Sequence, residues 1–68
     1  GMFEKARAEL EKARDLIGED PIVYDHLGDA YFKTGDLDKA REAWEKSLKL
    51  QDNRDVKEKL ESLKAEAR

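Results

Sequence analysis

Apolar residues recur at steps of three and four in four separate segments of the chain, with charged side chains filling most of the remaining positions. That period places each apolar set on one side of an α-helix. In the first segment Phe3, Ala6, Leu10, Ala13 and Ile17 form the stripe and predict a helix over about residues 2–17. Gly18 predicts a left-handed stop, and Asp20-Pro21 then supplies an N-cap followed by proline at the first helical position. A second helix is predicted from Pro21 to about Lys33, burying Val23 or Tyr24 with Leu27, Ala30 and Tyr31, and Gly28 marks where a partner helix comes closest. Thr34-Gly35-Asp36 predicts a tight connection in which Gly35 takes positive φ and Asp36 caps the next helix. The third helix, about Leu37 to Leu50, carries Leu37, Ala40, Ala43, Trp44, Ser47 and Leu48 on its buried arc. On its outer side Glu42–Lys46 and Glu45–Lys49 stand at the i,i+4 spacing that supports helicity. After Asp52-Asn53, the residues Val56, Leu60, Leu63 and Ala67 predict a fourth helix over about 54–67 with a narrower stripe.

The run Tyr24-x-x-Leu27-Gly28-x-x-Tyr31, the Gly35-Asp36-Leu37 turn, Ala40 and Trp44 describe two helices packed antiparallel. These positions resemble the signature of the tetratricopeptide repeat, a helix-turn-helix unit with a period of roughly 34 residues. Ala30, Lys33, Lys39, Lys46 and Leu48 are similar to common choices in that family, and one repeat is covered from about Pro21 to Arg54. The chain departs from the family at Gln51-Asp52-Asn53, where Asp-Pro-Asn is usual. Phe3, Ala6, Leu10 and Ala13 fall one repeat before Leu37, Ala40, Trp44 and Ser47. The first helix thus resembles the second half of a preceding repeat, and the last resembles a C-terminal capping helix with a polar outer face. The expected fold is all-α: antiparallel hairpins stacked as a short solenoid of about four helices, in a single domain over residues 1–68. The wording Asp25-His26-Leu27-Gly28-Asp29 resembles the last complete repeat of large bacterial tetratricopeptide proteins.

A chain of 68 residues buries only about 60% of the surface it exposes when unfolded, so the core is thin. The charged share of 46% fits helices with one buried stripe and solvated outer faces. With no cysteine, disulfide and thiolate chemistry are excluded, and the redox compartment stays open. The net charge of −3 is spread along interleaved acidic and basic residues, with no basic stripe for nucleic acid and no charged block for anionic lipid. No apolar run approaches the roughly 18 residues needed to cross a bilayer, and the amino terminus shows no signal-peptide core. Gly1 ahead of Met2 reads as a residue left by tag removal, which leaves localisation undetermined and suggests a piece of a larger parent chain.

Little here supports catalysis. His26 is the only histidine, so neither a zinc site nor a Ser-His-Asp arrangement around Ser47 or Ser62 is expected, and no cofactor is implied. Asp25 and Asp29 lack the positioning groups an acid–base pair needs, and Asp36 and Asp38 suit helix capping. Tyr31 and Trp44 fall on buried stripes and read as core. The resemblance implies instead a protein-interaction scaffold that presents a helical groove to a peptide or partner helix. In such arrays one side of the repeat's first helix faces that groove, which makes Ile22, Asp25, His26, Asp29, Phe32 and Lys33 the candidate contacts. Asp25 and Asp29 favour a partner with basic groups over the acidic carboxy-terminal peptides that some family members hold with basic side chains. The alternative is self-assembly: a homodimer through the open amino-terminal end, with Phe3 and Leu10 as contacts.

Overall fold

Two aspartates and an asparagine start three of the helices. Asp20, in extended backbone, accepts a hydrogen bond from the Ile22 amide at 2.8 Å, and Pro21 follows at the position where its missing N–H costs nothing. Asp36 accepts from the Lys39 amide at 3.4 Å, and Gly35 at φ 84° makes the turn that brings it there. Asn53 accepts from the amides of Asp55 and Val56 at 2.9 and 3.3 Å, so an amide side chain sets the start that family proline would otherwise mark.

The computed structural model describes residues 1–66, which form α1 (Met2–Ile17), α2 (Pro21–Lys33), α3 (Leu37–Leu50) and α4 (Arg54–Glu66). Ala67, assigned above to the fourth stripe, lies outside the described residues. Gly18 ends α1 at positive φ, but with φ 88° and ψ −132° it lies outside the left-handed helical region expected of it. Its N–H closes the helix on the Arg14 carbonyl at 2.9 Å. Each helix packs chiefly on its chain neighbour, with α2 on α3 the most extensive contact, and the result is a slab of 32 × 28 × 15 Å. The architecture is all-α, with four helices packed as adjacent hairpins. Among the described residues no helix is long and apolar enough to cross a membrane.

The α2 and α3 helices approach closely at Gly28. A Cβ at this position would collide with the Trp44 indole, so only glycine lets α3 lay that ring against the α2 backbone. The indole N–H donates to the Asp25 carbonyl at 3.1 Å, and one turn further along α3 the buried Ser47 hydroxyl donates to the Pro21 carbonyl at 2.8 Å. Both bonds fasten α3 side chains to α2 backbone. Leu27, Tyr31, Ala40, Ala43 and Trp44 join Val56, Leu60 and Leu63 of α4 in one buried cluster, with Leu10, Tyr24, Phe32 and Leu48 packed at its margin. Burying a ring the size of Trp44 removes about 200 Å² from water, a gross gain of about 5 kcal/mol at ~25 cal/mol/Å². An exposed ion pair contributes about 0–1 kcal/mol, so packing decides the fold.

The stripes overreach at helix ends. Leu37 was expected to be buried and is exposed, as are Phe3 and Ile17 at the two ends of the first stripe, and α1 contains no fully buried residue at all. Each of the three stands within two residues of a helix terminus, and periodicity gives the side of a helix without saying how far along it a neighbour extends. The i,i+4 pairs on α3 are likewise not the ones formed. Lys46 reaches Glu19 in the loop before α2 at 3.2 Å, and neither Glu42–Lys46 nor Glu45–Lys49 is within ion-pair distance.

The α1–α2 contact has a polar clasp. The Tyr31 hydroxyl donates to Glu11 at 2.6 Å; burial, then that carboxylate, pushes the phenol up to about 12, while Arg14 opposes the shift. The unfolded phenol loses its proton at its ordinary 10.0. This clasp therefore stabilises fully below pH 10 and is lost as pH rises from 10 to about 12. Unfolding free energy should fall across that window, more steeply in the wild type than in Tyr31→Phe, and an ultraviolet phenolate titration of the two should assign the late-titrating tyrosine to Tyr31. In an ordinary helix Gly→Ala gains about 1 kcal/mol. Here Gly28→Ala should instead lower stability by about 1–2 kcal/mol in denaturant unfolding, because a rigid buried ring must move. In a Trp44→Leu background the same change should be neutral or stabilising.

Candidate functional site

Asp25, Asp29 and Phe32 follow one another at four- and three-residue steps along α2, and they form one wall of an open groove of about 640 Å³. The opposite wall is α4, which contributes Asp55, Glu58, Lys59, Ser62 and Leu63. Trp44 lies between them. Its buried ring is tilted 33° against Phe32 with centroids 6.0 Å apart, so the residue that joins α2 to α3 also backs the aromatic side chain of the groove.

The charges around the groove are unequal: Asp25, Asp29, Asp55 and Glu58 face two ammonium groups, Lys33 and Lys59. Lys59 crosses from α4 to α2. Its Nζ donates to Asp25 Oδ1 at 3.0 Å and to the two carboxylate oxygens of Asp29 at 3.0 and 3.2 Å. Burial disfavours the ammonium, but the hydrogen bonds to Asp29 and Asp25 more than offset it, and the pKa of Lys59 stands above the ordinary lysine value. The two aspartates are therefore not the open carboxylates that the α2 sequence alone suggests, since a cation of the same chain already sits between them.

Four of the six candidate contacts on α2 come together in the groove: Asp25, Asp29, Phe32 and Lys33. Ile22 shares their side of the helix one turn earlier, outside the groove and 61% exposed. His26 is exposed and also stands outside it. The Lys33 Nζ also stands 5.9 Å from the Phe3 ring centroid on α1. Of the two self-association candidates, Phe3 is exposed and Leu10 is half-buried against the core. The α4 wall was not foreseen from sequence. The residues Asp55, Glu58 and Lys59 read there as a solvated polar face, and only the packing of α4 on α3 brings Lys59 within reach of its partners on α2. Among the described residues no group of three or more histidine, aspartate or glutamate side chains is placed to hold a metal ion. The groove thus sets the half-buried Phe32 beside an excess of carboxylates.

Residues 21–54, half of the chain, match the family described as Tetratricopeptide repeat. No curated protein and no solved structure matches the chain. The matched span runs from the proline that opens α2 to the first residue of α4, and so contains the whole α2–α3 hairpin with its Gly28–Trp44 contact. The chain belongs to the tetratricopeptide repeat family, whose repeats are generally non-catalytic units of protein interaction.

Proposed function

We propose that the groove between α2 and α4 docks a basic, amphipathic peptide or helix of a protein partner. The observation that carries this reading is the groove's composition: the half-buried Phe32 offers apolar surface in front of the buried Trp44 and Leu63, and four carboxylates surround it against two ammonium groups. A partner whose leucine or aromatic side chain settles on Phe32 would bring its lysines or arginines to Asp29, Asp55 and Glu58 at the rim. Such rim charges favour encounter and orientation, and salt weakens them. The volume suits a few side chains and not a folded domain. In this reading the chain is a C-terminal portion of a larger bacterial tetratricopeptide protein. Residues 2–17 are the second helix of a partial repeat, 21–50 the complete repeat hairpin and 54–67 the cap. The one-repeat offset of Phe3, Ala6, Leu10 and Ala13 from Leu37, Ala40, Trp44 and Ser47 supports that assignment.

A fluorescence-anisotropy panel tests the groove with amphipathic leucine–lysine and leucine–glutamate peptides of equal length. The basic peptide should bind, more weakly as salt rises, and Phe32→Ala and Asp25→Lys should each weaken it about fivefold or more. Preference for the acidic peptide would overturn the reading.

A second reading rests on α1. With no buried residue on that helix, and with Met2, Phe3, Leu16 and Ile17 exposed, Leu16 at 86%, its apolar surface is only partly covered. Self-association through this end would cover Phe3 and complete the burial of Leu10. Sedimentation should then show mass rising with concentration and Phe3→Glu should abolish the rise, whereas a monomer at every concentration contradicts it.

A further inference from the structure

We propose that Lys59 is a built-in competitor for the groove: its ammonium holds the place between Asp25 and Asp29 that a partner's cation would take, and so sets how strongly a basic partner binds. The inference rests on the groove reading above and adds to it a determinant of affinity supplied by the chain itself.

The geometry is that of an occupied cation site. An ammonium has three N–H donors, and Lys59 Nζ has three carboxylate oxygens within 3.2 Å. It has no donor left over. Asp25 is the more enclosed of the two partners, with 20% of its side chain exposed against 42% for Asp29. An arriving lysine or arginine can therefore approach Asp29 from solvent, but it gains Asp25 only by displacing Lys59. While Lys59 stays in place, the pair of carboxylates carries one net negative charge instead of two. Because Lys59 reaches α2 from α4, whose apolar residues Val56, Leu60 and Leu63 are anchored in the core, displacement frees the side chain without requiring the helix to leave.

A purely structural strap would behave differently. If Lys59 served only to hold α4 against α2, its removal would loosen the groove wall and weaken any ligand there. As a competitor, its removal leaves two unpaired carboxylates in the groove and strengthens a basic ligand while doing nothing for an acidic one.

The test compares the leucine–lysine and leucine–glutamate peptides on wild type, Lys59→Met, which keeps the apolar stem, and Lys59→Met combined with Asp25→Asn and Asp29→Asn. The expected result is that Lys59→Met binds the basic peptide about fivefold or more tightly than wild type, with a steeper salt dependence and no gain for the acidic peptide. The triple variant should lose the gain. Binding of the basic peptide by wild type that is equal or weaker in Lys59→Met, with amides of Val56 and Leu60 still protected from exchange, overturns the competitor role and leaves the groove reading standing. Absence of binding by all three proteins overturns both. Where protection at Val56 and Leu60 is lost in Lys59→Met, the wild type decides. Saturation with the basic peptide should return the Lys59 ammonium nitrogen resonance to that of a free lysine, and an unchanged resonance overturns the proposal.

Discussion

One missing side chain organises this molecule. Gly28 has no Cβ, so the indole of Trp44 can lie directly on the α2 backbone, and that contact fixes both how near α3 comes and which way it faces. The tryptophan N–H then meets the Asp25 carbonyl and the ring packs against Phe32, a wall residue of the groove. Fold and groove thus share Trp44, as they also share Leu63. A change that shifts Trp44 to accommodate a larger residue at position 28 disturbs the hairpin and the groove together, and repacking elsewhere cannot restore one without the other.

Stability and recognition draw on different physics in this chain. The slab is held by apolar burial over a core only two helices deep, aided by side-chain bonds from Ser47, Trp44 and Tyr31 to neighbouring helices. The groove is governed by charge: carboxylates on α2 and α4, with Lys59 between the two on α2. Under the proposed reading, the groove charges select the partner while the buried residues hold the slab. The last helix has two roles, because α4 covers the end of the core with Val56, Leu60 and Leu63 and reaches back into the groove with Lys59.

The hairpin was legible in sequence because its determinants are local. Helical spacing put Leu27, Gly28 and Tyr31 on one side of α2, and Asp20, Gly35 and Asp36 marked turns through their own backbone chemistry. What escaped depends on distance in the chain. Lys59 is 34 residues from Asp25, and nothing in the polar face of α4 distinguishes it from Lys57 or Lys64 until the helices are assembled. Lys46 likewise bonds Glu19 rather than the glutamate one turn away, since two exposed pairs of similar small energy are sorted by loop geometry alone. Leu37 shows the matching failure for apolar residues: the period is right, but the residue stands at the end of its helix and stays exposed.

Hydrogen exchange at the Trp44 indole N–H tests the organising contact most directly. If the ring is locked between Gly28 and the Asp25 carbonyl, that proton exchanges only when the hairpin opens, with protection equal to that of the core amides of Leu27 and Tyr31. Exchange at the rate of an exposed indole, while those amides remain protected, would contradict it.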